Sequence, residues 1–243
     1  MPRVFLPAIN FKDNRISITD EKARYLISVL RCRKGDDLVI FDGEGSCIRT
    51  TILKADRRKV IADVIEKFSC DTESRLNITL VQGLLKGEKM DMVIQKTTEL
   101  GVKKIIPVIT ERSQLRETRK VARWRKIAEE ASRQSGRSVV PIIYEPIVFE
   151  NFLTDHDPQY RFLGFIFYEE DGMKMSEAVS SLVFRPSSLS VVIGPEGGFT
   201  KEEVTIAKER GLLITSLGKR ILRAETAAIS AMTLVQYLLG DIG

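Results

Sequence analysis

Two glycine-rich stretches near the end of the chain limit its fold more than any other feature of its 243 residues. The first is Gly194-Pro195-Glu196-Gly197-Gly198-Phe199-Thr200, and the second is Leu217-Gly218-Lys219-Arg220-Ile221-Leu222-Arg223-Ala224-Glu225-Thr226-Ala227. Each follows an apolar, strand-like run, 189–193 and 212–217, and each leads into a helical pattern. A loop so placed lies at the carboxyl end of a strand, where open α/β sheets hold their ligands. Glycine and proline make it tight and turn its backbone amides toward whatever sits there. One such loop is an ordinary turn. Two of them, separated by a single helix and strand, predict a pocket.

The sequence before these loops supports a parallel sheet. Its spacing predicts a strand over 76–82, a helix over 89–100 and a strand over 104–109. Met90, Val93, Ile94 and Thr97 face inward on that helix and Gly101 closes it, which makes a βαβ unit. Further strands are expected near 139–143, 161–168, 189–193 and 212–217, with helices near 115–134, 174–182, 201–210 and 225–239. The expectation is an α/β domain of six strands with helices on both faces. Thr200-Lys201-Glu202-Glu203 has the form of a capping box, and Gly211 closes the same helix. The first 72 residues read differently, as short strands at 3–6, 15–18, 38–41, 46–53 and 59–65, with Asp42-Gly43 as a hairpin signal. One helix, with Thr19 as its cap and Ala23, Leu26, Ile27 and Leu30 as its apolar stripe, completes a small β-barrel. The aperiodic polar stretch 68–75 sets the boundary, giving domains 1–72 and 73–243.

Charge divides elsewhere, within the second domain. Residues 1–72 carry +3 and 73–140 carry +7, whereas 141–243 carry −5, for a total of +5. A basic front and middle suggest a polyanionic partner. Cys32, Cys47 and Cys70 are odd in number and widely spaced, so they read as free thiols and not as a disulfide framework or metal site. His156, the one histidine, lies in a polar loop and reads as a surface residue, so no metal is expected. No apolar run approaches the ~20 residues of a membrane span, and the start lacks the regions of a signal peptide. A cytoplasmic protein without a membrane partner is expected. No GxGxxG opens a helix after the first strand, and GxxxxGK[ST] and GxSxG are absent, which argues against a dinucleotide site, a P-loop and a nucleophile elbow.

The two loops, GPEGGFT and LGKRILRAETA, closely resemble those of the RsmE family. These are S-adenosylmethionine-dependent methyltransferases of the SPOUT superfamily that modify a uridine at N3 in small-subunit (16S) ribosomal RNA. Val29-Leu30-Arg31, Gly35-Asp36 and Phe41-Asp42-Gly43 resemble the family's front domain, and Lys86-Gly87-Glu88-Lys89, Thr110-Glu111-Arg112-Ser113 and Gln134-Ser135-Gly136-Arg137 resemble its other motifs. The resemblance implies a PUA-like RNA-binding barrel, a knotted C-terminal half, a homodimer, and ribosomal RNA or the assembled small subunit as substrate. It implies a donor site at Gly194, Pro195, Glu196, Gly197, Gly198, Leu217, Gly218, Ile221, Leu222, Arg223, Ala224 and Thr226, with Ile221 and Leu222 against the adenine. Methyl transfer from a sulfonium needs an in-line approach held by positioning, which suits a site of amides, apolar groups, one arginine and two acids. Arg223, Glu196 and Glu225 are accordingly the catalytic candidates. Arg3, Arg24, Arg31, Arg33, Lys34, Lys86, Lys89, Arg112, Gln134 and Arg137 are the candidates for RNA contact. A noncatalytic RNA-binding or assembly factor, or a SPOUT enzyme acting on another RNA, remains the alternative.

Overall fold

The structure is a computed structural model describing residues 1–7, 14–154, 162–170 and 172–243. His156 lies outside the described residues. The chain forms two compact units, 1–73 with 132–140, and 74–131 with 141–243. The return of 132–140 to the first unit has no counterpart in the sequence reading, because that segment is continuous with a helix of the second.

The first unit contains β1 (Arg3–Phe5), β2 (Arg15–Thr19), α1 (Asp20–Ser28), β3 (Asp37–Phe41), β4 (Ser46–Ala55) and β5 (Lys59–Ser69). They form one sheet in the order β1-β3-β4-β5-β2, with β1 parallel to β3 and the other pairs antiparallel. Alternation sets its faces: β2 buries Ile16 and Ile18 while Arg15, Ser17 and Thr19 stay exposed. Ile16, Ile18, Leu26, Leu38, Ile40 and Val60 share one core with Ala23 of α1. The β3–β4 turn is held by Asp42, whose Oδ1 accepts from the amides of Glu44 at 2.8 Å and Ser46 at 3.0 Å. Thr19 is the N-cap of α1, but its hydroxyl donates to Asp20 Oδ2 and leaves the helix amides uncapped.

The thiol expectation needs correction. Cys47 and Cys70 are joined in a disulfide with their Cα atoms 6.2 Å apart, and Cys32 alone is free and buried. The antiparallel register sets Cys47 opposite Phe68, so a residue just past the end of β5 falls beside the start of β4. Spacing along the chain conceals that proximity.

The second unit contains β6 (Asn77–Gly83), α2 (Lys89–Glu99), β7 (Lys104–Ile109), α3 (Val121–Gln134, whose last residues join the first unit), β8 (Ile142–Ile143), β9 (Ile147–Val148), α4 (Phe149–Thr154), β10 (Gly164–Phe167), β11 (Met173–Lys174), α5 (Met175–Ser180), β12 (Ser188–Ile193), α6 (Lys201–Glu209), β13 (Leu213–Ser216) and α7 (Ala224–Leu239). Its eight-stranded sheet runs β11-β13-β10-β12-β6-β7-β8, with β9 also on β7, and every pair is parallel. The count exceeds six because β9 and β11 are two residues each, too short to show a period. Helix α3 starts at Val121 and not near 115, since Arg116 instead folds back to donate to the carbonyls of Thr110 and Glu111. Phe149 and Phe152 of α4, not expected from sequence, pack with Val192, Phe199 and Val204 in one core.

Two consequences matter for the site. Strands β13, β10 and β12 are consecutive neighbours, so the segments leaving their carboxyl ends open side by side. The capping box also forms, with Thr200 Oγ1 accepting from the Glu203 amide at 3.2 Å and Glu203 Oε2 accepting from the Thr200 amide at 2.9 Å. It fixes where the first loop ends.

Candidate active site

The two glycine loops meet in one pocket of about 370 Å³, lined by residues 193–199, Ile221–Glu225, Ala227, Lys89, Phe167 and Glu169. A second hollow of about 140 Å³ shares Phe167, Glu169, Ile221, Leu222 and Ala227 with it and adds Tyr168 and residues 216–220. Ligand sites of small molecules have this concavity and this mix of apolar wall and few polar groups.

The first loop is braced on all sides. Gln82, fully buried at the end of β6, donates from Nε2 to the carbonyls of Gly194 at 3.3 Å and Gly83 at 3.1 Å. The Gly198 amide closes the turn onto the Pro195 carbonyl at 3.0 Å. Gly197 lies so close to Arg112 that an added Cβ would sit 2.8 Å from that residue's carbonyl oxygen. Glu196 receives the Lys89 ammonium at 2.9 Å and the Lys86 amide at 3.2 Å. Burial pushes the Glu196 carboxyl up, but the Lys89 hydrogen bond and the amides of Glu196 and Lys86 outweigh it and hold it below the usual carboxylate range.

The second loop is open. Ser216 Oγ exchanges hydrogen bonds with the amide and carbonyl of Gly218 at 3.1 and 3.2 Å, which holds that glycine at φ +106°. A Cβ there would meet nothing within 4 Å. Ile221 is 87% exposed, an unusual state for an aliphatic side chain in a pocket wall. Arg223 is the exposed N-cap of α7 and makes no side-chain hydrogen bond or ion pair among the described residues. Glu225, in the first turn of α7, is buried, and its Oε2 has no partner among them. The local alternative, in which Arg223 serves only to pair with Glu225, is therefore absent from the structure.

Of the sequence-derived donor-site residues, Gly194, Pro195, Glu196, Gly197, Gly198, Ile221, Leu222, Arg223 and Ala224 line the larger pocket, joined by Glu225. Leu217 and Gly218 line only the smaller one. Thr226 lines neither and is exposed, because the helix has already turned it outward. Sequence reasoning missed Phe167 and Glu169 as walls. The available signal was the strand expected over 161–168, which forms as β10 (Gly164–Phe167) and whose carboxyl end belongs to the same row as the glycine loops.

The RNA candidates divide sharply. In the first unit Arg24, Arg31, Arg33, Lys34 and Gln134 are exposed. Arg137 is not: it is 3% exposed, with Nη2 2.8 Å from Glu73 Oε2. Arg3 is half-buried, donates to the Arg137 carbonyl at 3.0 Å and lies over the Phe41 ring, and burial pulls its guanidinium below its usual pKa. Both have partners within the first unit, and Arg137 is too buried to present its guanidinium at the surface of this structure. In the second unit Lys86 and Arg112 are exposed, whereas Lys89 is committed to Glu196.

Comparison with known proteins accords with this geometry. Residues 72–236 match the family described as an RNA methyltransferase domain, and residues 18–65 match an RNA methyltransferase PUA domain. Ribosomal RNA small subunit methyltransferase E of Bacillus subtilis is 34% identical over 231 residues, covering 91% of this chain and 89% of the relative. The chain belongs to this methyltransferase family. A family member from Neisseria gonorrhoeae, solved bound to S-adenosyl methionine, is 34% identical and superposes with a TM-score of 0.90 over 100% of both chains. A Legionella pneumophila structure solved with bound cofactor SAM is 31% identical, with a TM-score of 0.87 over 99% of this chain and 98% of the other. The fold is thus the family's: a curled PUA-like sheet and a parallel methyltransferase sheet. Among the described residues no cluster of His, Cys, Asp and Glu could hold a metal, and no helix is long and apolar enough to cross a membrane.

Proposed function

We propose that this protein is an S-adenosylmethionine-dependent methyltransferase that modifies N3 of a uridine in small-subunit ribosomal RNA. The observation that carries the reading is the convergence of both glycine loops on one pocket whose wall includes Arg223 and Glu225. The similar ribosomal RNA small subunit methyltransferases, and the two similar structures solved with S-adenosyl methionine bound, support the same donor and substrate class.

The residues present fit the donor. Gly218 leaves open space where a side chain would stand, the first loop offers amides in a fixed turn, and exposed Ile221 with Leu222 offers an apolar surface for a base. When bound, S-adenosylmethionine supplies a methyl group activated by its sulfonium. The protein's part is positioning and charge. Uridine N3 is a poor nucleophile until its proton leaves, and the charge then spreads to the flanking carbonyl oxygens. Arg223, with no internal partner, stabilises that charge. Two acids could take the proton from N3. Glu196 is already engaged by Lys89, whereas Glu225 lines the pocket with its Oε2 unpartnered among the described residues, which makes Glu225 the acceptor in this reading.

Exposed Arg24, Arg31, Arg33, Lys34, Lys86 and Arg112 supply phosphate contacts, which position RNA without reading its sequence. The reading includes a cytoplasmic location, a trefoil knot in the C-terminal half and a homodimer. Support for the dimer comes from α7, which buries Ala228, Ala231, Met232, Val235 and Leu239 yet leaves Leu234 and Tyr237 exposed. That second apolar stripe suits another copy's helix. The test is methylation of small subunits and of naked ribosomal RNA with labelled donor, followed by mapping of the modified base. Methyl at N3 of one uridine is expected, from a protein whose light-scattering mass is twice 27.4 kDa. Donor and RNA binding without methyl transfer would instead identify a noncatalytic binder.

A further inference from the structure

Glu169 is a pocket group that neither the loops nor the proposed chemistry uses. It follows β10 at the sheet edge where both glycine loops open, and it lines the larger pocket and the smaller hollow alike. Its neighbour Glu170 is engaged with Lys201 at 3.4 Å, whereas the Glu169 carboxylate has no hydrogen bond or ion pair among the described residues. It faces the first loop at close range, since a Cβ on Gly198 would lie 3.3 Å from Glu169 Oε1. Phe167 and Tyr168 beside it are buried, and burial, with Glu170 and Glu169 nearby, pushes the Tyr168 phenol up. Glu169 itself is exposed, so its carboxylate is an acceptor that no protein donor among the described residues engages. Its two oxygens suit a pair of adjacent hydroxyls, or a cation.

The pockets decide between these. The smaller hollow has room for only part of a donor-sized molecule, and its Leu217–Gly218 and Ile221–Leu222 wall is apolar side chain and main chain, the surroundings of a base. The larger pocket holds the amide-rich first loop, suited to the carboxylate end of the methionine moiety. Of the five residues that line both, Glu169 is the one with a polar side chain, so it is the polar contact available where a ligand spanning both passes from one to the other, and in S-adenosylmethionine the part between base and amino-acid end is the ribose. We infer that Glu169 accepts hydrogen bonds from the vicinal ribose hydroxyls of the methyl donor, and so selects a ribonucleoside at that position. The inference rests on the donor reading above and adds a recognition residue to it.

Calorimetry separates the possibilities with two ligands that need no turnover. S-adenosylhomocysteine carries base, ribose and amino-acid end, whereas 5′-methylthioadenosine carries only base and ribose. Glu169→Ala is expected to weaken both by about 10–100-fold, the range for hydrogen bonds to a charged group. Glu169→Gln, which keeps one acceptor, is expected to fall between, and Glu170→Ala to leave both affinities unchanged. Tm of each variant is read alongside, so that unfolding is recognised as such. Loss of S-adenosylhomocysteine binding with methylthioadenosine unaffected would move the contact to the amino-acid end and overturn the ribose assignment. Unchanged affinity for both ligands would remove Glu169 from the site. A wild-type protein that binds neither ligand would instead overturn the donor reading itself.

Discussion

The two loops of the pocket look alike in sequence and are built in opposite ways. Residues 194–198 are tethered by Gln82, pressed against Arg112 and tied to Lys89. Residues 217–223 have a Ser216–Gly218 turn at their base and little beyond it: Ile221 is 87% exposed, and Arg223 has no partner among the described residues. A Cβ on Gly197 would meet the Arg112 backbone at 2.8 Å, whereas one on Gly218 would meet nothing within 4 Å. The first loop is therefore held by the protein's own contacts, and the second is left open. Preorganised groups cost nothing to arrange at the moment of reaction, whereas an unpartnered guanidinium remains available for charge that develops later.

Substitution can break this contrast at its strongest point. Gly197→Val would drive Cβ to 2.8 Å from the Arg112 carbonyl, so it should both lower Tm and abolish detectable donor binding. A Cβ on Gly218 meets no protein atom within 4 Å, so the expected cost of Gly218→Val is a strained φ and a side chain placed in the proposed donor site. Its Tm should fall much less while donor affinity is lost. Equal Tm losses, measured by scanning calorimetry, would show that the loops do not differ as described.

A smaller effect belongs to the chemistry. Arg223→Ala should cut single-turnover methylation by roughly 10²–10³, with donor affinity by calorimetry unchanged. A wild-type rate, or a loss explained wholly by failed donor binding, would make Arg223 structural.

The smallest concerns the brace at Glu196. Its carboxyl is held below the usual range, so its stabilising contribution is present above the ordinary glutamate pKa of ~4.3 and is lost as pH falls through the lower folded value. Lys89→Met should flatten the fall of Tm between about pH 5 and pH 3. An acid limb identical to wild type would mean that Lys89 does not brace the loop.

The legible parts of this molecule were those where chemistry is local. Glycine and proline after a strand-like run mark a turn from sequence alone, and Thr200-to-Glu203 capping spans three residues. The illegible parts depend on partners distant in the chain. Arg137 reads as a donor beside Gln134 until Glu73 is placed against it. The Cys47–Cys70 bridge needs the register of β4 on β5, which no spacing rule gives. A motif is linear and groups Thr226 with its neighbours, whereas in the structure it lines neither pocket. Glu169 was passed over because it belongs to a strand end without glycine.

The return of residues 132–140 to the first unit bears on how the protein is made. A nascent chain appears from its amino end, so the PUA-like unit cannot close when residue 73 emerges. Glu73 must wait for Arg137 and for the amides of Ser138 and Val139, to which its carboxylate is bonded. By then β6, α2, β7 and α3 have all been synthesised. The first unit can be completed only after these elements of the second have been synthesised, and a chain stopped at residue 72 lacks a piece of its own first fold.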